Sequence, residues 1–119
     1  MVNRFSRLKK IAQTVAIVGV SVTMTHPAFA AEQFSDWGSV KSIESGWVLD
    51  TLAVFHSAPL VNPDGCRVTN GGYATNPADP GHSLFHTILL SAFLNRKEVH
   101  LLISGCVFDK PRIIGVGVR

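Results

Sequence analysis

The chain has 119 residues, 46% of them hydrophobic, and 11 basic against 8 acidic residues give a formal net charge of +3. Four of the basic residues and none of the acidic ones lie in residues 1–30, so the rest carries seven bases against eight acids, net −1. That balance removes any electrostatic reason to expect a nucleic-acid or anionic-membrane partner.

Arg4, Arg7, Lys9 and Lys10 precede an apolar run from Ile11 to Met24, broken by Gln13, Thr14, Ser21 and Thr23. Ala28-Phe29-Ala30 then puts small residues at the first and third positions, the pattern that a signal peptidase reads. Residues 1–30 are therefore expected to be a signal peptide cleaved between Ala30 and Ala31, with the product in the periplasm or outside the cell. The alternative, an uncleaved anchor, needs roughly 20 apolar residues to span a bilayer, more than this run supplies. No transmembrane anchor is expected after cleavage. What remains, residues 31–119, is a single domain of 89 residues. At that size a hydrophobic core alone is marginal.

Trp37 to Ile43 and Trp47 to His56 read as two strands joined by a tight turn at Glu44-Ser45-Gly46. Along the second, Trp47, Leu49, Thr51, Ala53 and Phe55 share one face. Pro59, Asn62, Pro63, Asp64 and Gly65 make Ser57 to Gly65 a loop. A short strand is expected at Cys66-Arg67-Val68, then a turn at Thr69-Asn70-Gly71-Gly72 before Tyr73-Ala74-Thr75.

Asp79-Pro80-Gly81 is a helix start, with a side-chain oxygen to accept free N–H groups and a proline suited to the first helical position. Leu84, Phe85, Ile88, Leu89, Ala92 and Phe93 then recur at three- and four-residue spacing on one broad face, with Ser83, Thr87 and Ser91 opposite. Leu90 and Leu94 flank that stripe and widen it beyond what one small sheet covers, so they are covered either by a second subunit or by the Ser57 to Pro63 loop. The helix ends near Asn95-Arg96-Lys97, where a residue tolerant of left-handed geometry and two cations suit the exposed carbonyls. Val99, Leu101 and Ile103 alternate with His100, Leu102 and Ser104 as a strand. Asp109-Lys110-Pro111 marks a turn, and Ile113 to Val118 is a last strand with one bulky face and one nearly bare face at Gly115 and Gly117.

Cys66 and Cys106 are the two cysteines, and an oxidising compartment would pair them. The loop they close, about 41 residues, corresponds to about 4 kcal/mol in the chain-entropy model. A redox or metal-binding pair would call for Cys-x-x-Cys spacing, which is absent. The order of elements fits an α+β domain that is mostly β. A small OB-like, partly open five-stranded antiparallel barrel carries one helix between strands 3 and 4, as here.

The stretch from Ser83 to Val118, with its apolar helix, the basic turn Asn95-Arg96-Lys97, the strand Val99-His100-Leu101-Leu102-Ile103 and a final hydrophobic strand, resembles the B subunits of bacterial AB5 toxins of the subtilase-cytotoxin and pertussis-like type. With Tyr73-Ala74-Thr75, Asp79-Pro80-Gly81 and a cysteine after the penultimate strand, the chain is also similar to a wider group of small exported bacterial proteins. The resemblance covers about half of residues 31–119. It implies an OB-like fold, a disulfide, assembly into a ring and recognition of host glycans. It transfers no individual glycan-contacting residue.

His82 and His86 are one helical turn apart and could share a metal with His56 or His100, but the spacing is not that of a zinc protease, and two ordinary surface histidines are the simpler reading. Ser57, Ser83, Ser91 and Ser104 lie in no nucleophile elbow, and Asp50, Asp64 and Asp79 in no triad order. No catalytic residue, metal or cofactor is therefore expected. Trp37, Trp47 and Tyr73 combine an apolar ring with a polar handle, which suits either a sugar surface or a core. The expected function is an exported, non-catalytic binding module for a glycan or a protein, open to homo-oligomerisation. The alternatives are a small exported enzyme or inhibitor, or an envelope component without ligand.

Overall fold

The computed structural model describes residues 14–25 and 30–119. The leader expected over residues 1–30 thus falls partly outside the described residues, including Ala28 and Phe29. Among the described residues no helix is long and apolar enough to cross a membrane.

Among the described residues, six strands and one helix follow in the order β1 (Glu32–Phe34), β2 (Gly38–Ser45), β3 (Leu52–His56), β4 (Tyr73–Thr75), α1 (His82–Leu94), β5 (Glu98–Val107) and β6 (Lys110–Val118). The domain is α+β and mostly β, as its pattern predicts. The strands form one sheet in the order β1-β5-β2-β3-β4-β6, and β6 pairs back onto β5, so that five strands close into a ring with β1 attached beside β5. All pairings are antiparallel except β4 with β6, which run parallel. The all-antiparallel, five-stranded expectation is corrected on both counts.

The sixth strand, β1, escapes a pattern search because it is three exposed residues without alternation. It and β2 act as one bent strand against β5: Glu32–Phe34 pair with Leu102–Ser104, and Gly38 and Ser39 with Val99 and Glu98. Ser35 bridges the bend. Its N–H donates to Leu101 O at 2.8 Å and its Oγ accepts the Leu101 N–H at 2.9 Å, so both backbone groups of Leu101 are paired across the bend. At Gly38, where β2 turns toward β3, an added Cβ would lie 2.5 Å from Ser57 Oγ.

Three loop expectations also change. The β2–β3 connection is a six-residue loop from Gly46 to Thr51 rather than a tight turn, because Trp47 to Thr51 leave the ladder. Residues 66–68 form no strand, being held by the disulfide and by side-chain bonds. The turn expected at Asp109-Lys110-Pro111 is the two-residue loop Phe108-Asp109, both with positive φ (49° and 62°), the geometry that suits a tight hairpin. Pro111 belongs to β6. Lacking an N–H, it is tolerated there beside the bulge at Gly105.

The helix start is corrected too. The N-cap is Gly81, without a side-chain cap bond, and Pro80 precedes the helix. The Asp79 carboxylate is instead turned to Arg112, 3.4 Å away. At the other end Lys97 N–H donates to Ala92 O and Arg96 N–H to Phe93 O, so the left-handed residue is Arg96 (φ 53°). Asn95 satisfies a late carbonyl through its amide, which donates to Ser91 O.

Leu89 and Ala92 join Val40, Leu52, Val54, Tyr73, Val99, Leu101, Ile103 and Ile113 in the core, with Phe85 packed against it. The buried helix stripe is narrower than expected, for Leu84 is 60% and Phe93 39% exposed. The bare face of β6 is filled from β5: Leu102 lies against Gly115, and a Cβ on Gly117 would run into the His100 ring. This is the use of glycine as a bed for a cross-strand ring.

Candidate functional site

Three loops meet at Trp47, in the connection between β2 and β3. The Trp47 and Phe108 rings meet edge to face at a centroid distance of 5.3 Å and an interplanar angle of 81°. Lys110 Nζ stands 4.8 Å over the same ring and donates to Gly71 O at 3.0 Å. Cation–π attraction and that hydrogen bond fix the ammonium, and the aromatic edge contact fixes the indole. Arg67 pairs with Asp109 at 2.8 Å, and Val68 N–H donates to Asp109 O at 2.8 Å, tying the 66–72 segment to the β5–β6 hairpin. Even so held, Trp47 is 39% and Phe108 40% exposed.

The 66–72 segment also borders a groove of about 250 Å³ over β2 and β3, lined by Lys41, Phe55, His56, Thr69, Asn70 and Tyr73 among others. His56 Nε2 lies 3.1 Å from Val99 O and so donates to it, which makes Nδ1 an acceptor. That acceptor is buried and has no partner among the described residues. Tyr73 is part of the floor. It is buried, its hydroxyl accepts the Val61 N–H at 2.8 Å, and burial pushes its phenol above the usual value.

No protein-family model, curated protein or solved structure matches this chain. The reading of the site therefore rests on its own chemistry.

Of the residues singled out in the sequence, Cys66 and Cys106 form a disulfide with Cα atoms 5.7 Å apart. Trp37 lies away from Trp47, stacked on His100 at 4.1 Å, with the Arg119 guanidinium 4.4 Å over its ring. The four histidines singled out, of five in the chain, are dispersed. His56 bonds the Val99 carbonyl and His100 stacks with Phe34 and Trp37, while His82 and His86 stay on the helix. Among the described residues no group of three or more potential ligands could hold a metal ion. Ser57 Oγ accepts the Ser39 N–H, Ser104 is buried, and Ser83 and Ser91 are exposed on the helix. Phe108 and Lys110 escaped the sequence reading, since the turn signal around Asp109 masked them.

A hydroxyl–imidazole pair does occur, Thr75 Oγ1 with His86 Nε2 at 2.7 Å. Thr75 is fully buried and its Oγ1 also accepts the Leu52 N–H at 3.0 Å, so the pair is a packed structural link out of reach of a substrate. Burial first, then the neighbouring His82, holds His86 below the ordinary histidine value against the opposing pull of Asp50. With a lowered folded value, the unfolded chain takes up the proton first as pH falls. His86 therefore favours the folded state fully above about pH 6.5, and that contribution declines as pH drops toward the folded value. Wild type should lose stability on acidification below about pH 6.5 more steeply than His86→Gln, followed by urea midpoints. Parallel pH profiles would show that His86 is not linked to folding.

Proposed function

We propose that this chain is an exported, non-catalytic binding module on an OB-like, partly open barrel, and that it recognises a glycan at the Trp47 end. The fold reading is supported by the ring β2-β3-β4-β6-β5, its parallel β4–β6 pair and the position of α1 between the third and fourth strands of that ring. OB-type barrels bind oligosaccharides through the loops that here carry Trp47 and Phe108. Export is supported by the leader pattern and by the Cys66–Cys106 disulfide, which suits the periplasm or the medium.

The observation that carries the glycan reading is the indole of Trp47, exposed yet held by Phe108 and Lys110. A fixed, half-exposed ring offers an apolar plane for the C–H face of a sugar at little entropy cost. The groove rimmed by the same 66–72 segment adds polar side chains nearby, those of Lys41, Thr69 and Asn70. A protein partner is the second reading, favoured by Leu49, which is 82% exposed on the same loop as Trp47.

A glycan-array screen of purified residues 31–119 should retain a defined set of sugars. Trp47→Ala should weaken that binding at least about tenfold while leaving the thermal midpoint near that of wild type. An array without a retained glycan, or equal binding by the variant, would remove the glycan reading.

The resemblance to toxin B subunits supports a homo-oligomer as well. Leu84, Leu90 and Leu94 are 60%, 50% and 70% exposed on a helix without a Lys, Arg, Asp or Glu side chain. An apolar surface of this kind is suited to a second copy. Light scattering on the oxidised protein at micromolar concentration should report a multimer, and a stable monomer would sink the ring assembly.

A further inference from the structure

We propose that cleavage after Ala30 switches on an ion pair: the α-ammonium group created at Ala31 docks on the Asp64 carboxylate and locks β1 onto the disulfide-linked turn. The proposal rests on the leader reading and is independent of any ligand.

The geometry is that of a missing rung. Glu32 pairs with Ser104, so antiparallel register puts Ala31 opposite Gly105. The ladder stops short of that pair, and the Asp64 carboxylate takes its place. Oδ1 accepts from Ala31 N at 3.0 Å and Oδ2 from Gly105 N at 2.6 Å. The carboxylate is aimed by its surroundings. Asp64 sits in the turn closed by Gly65 N–H to Asn62 O, with Pro63 at a position where its fixed φ suits the turn. The Asn62 side chain accepts from Cys66 N at 2.8 Å and donates to Cys66 O at 2.9 Å, and Cys66 is bonded to Cys106, next to Gly105.

In the uncut chain Ala31 contributes one neutral N–H to this carboxylate. Hydrolysis of the Ala30–Ala31 peptide bond by water leaves a carboxylate on Ala30 and an amine on Ala31. A free α-amine has a pKa of about 7.7–8.0, so it is mostly protonated at neutral pH. The same contact, until then charged on the acceptor alone, becomes an ion pair with both partners charged. The gain falls on β1, which is three exposed residues paired only to β5. Phe34 at its far end stacks on His100 at 4.7 Å, so fixing Ala31 pins the strand from both ends.

The test begins with the precursor exported to a bacterial periplasm. Intact mass should correspond to a chain that starts at Ala31, and a different start would overturn both the leader reading and the lock. With that start established, failure of the next step would overturn the lock alone. Hydrogen exchange of the β1 amides is compared between this protein and a form carrying four Gly and Ser residues before Ala31, which restores the peptide bond. Exchange should be about two- to fivefold slower in the mature form, as an exposed ion pair warrants. The difference should vanish in the Asp64→Asn background. Should that variant fold poorly for loss of its bond to Gly105, raising the salt to about 1 M on the two wild-type forms should erase the difference instead. Equal exchange by the two wild-type forms, or a ratio unchanged by both salt and Asp64→Asn, would overturn the lock.

Discussion

Leu89→Ala should destabilise the domain by about 2–5 kcal/mol, whereas Ser91→Ala should change its stability by less than about 0.5 kcal/mol. Leu89 is fully buried among strand residues whose own positions are set by the ring of backbone pairings. Those strands cannot easily collapse into the vacated space, so the truncation loses both the transfer free energy and the contacts around the cavity. Ser91 is exposed on the helix, and it is its carbonyl that receives the Asn95 bonds. Alanine keeps that carbonyl and is the better helix former. Urea unfolding of both variants checks the contrast, and small, equal effects would mean that α1 contributes little to the core.

Replacing Cys66 and Cys106 together by Ser should cost about 4 kcal/mol, from the loop entropy returned to the unfolded chain across a separation of 40 residues. Domains of this kind have about 5–15 kcal/mol in total, so the variant would stand near the limit of stability. The loss is local as well as global. The bridge anchors the segment that rims the groove, and without it that segment is held by the Lys110–Gly71, Arg67–Asp109, Val68–Asp109 and Asn62–Cys66 contacts. A shift in urea unfolding free energy of less than about 1 kcal/mol would show that those contacts suffice.

The helix and the two last strands are legible in the sequence because their burial follows a regular period: Leu89 with Ala92, and Val99, Leu101 and Ile103. What escaped has no period. β1 is Glu-Gln-Phe on the surface, and residues 66–68 are held by covalent and side-chain bonds. The narrower buried stripe of the helix has a different cause. All its flanks are apolar, so composition alone does not mark which of Leu84, Leu90, Phe93 and Leu94 the sheet reaches. At the candidate site Trp47 stands out by residue type. Phe108 and Lys110 become its partners only when the ring brings two distant loops together, and Pro111 disguised their positions as part of a turn.

The parallel pairing of β4 with β6 bears on the order in which the molecule assembles. Ala74 meets Arg112 and Thr75 meets Ile113, so this seam joins segments separated by the helix, by β5 and by the Phe108-Asp109 turn. Local pieces form first and distant pairings wait on loop closure, which places this seam among the late events of folding. The disulfide spans nearly the same stretch of chain. Oxidation before the seam forms shortens the search that closes it, so the oxidised chain should reach its native state faster than the reduced one.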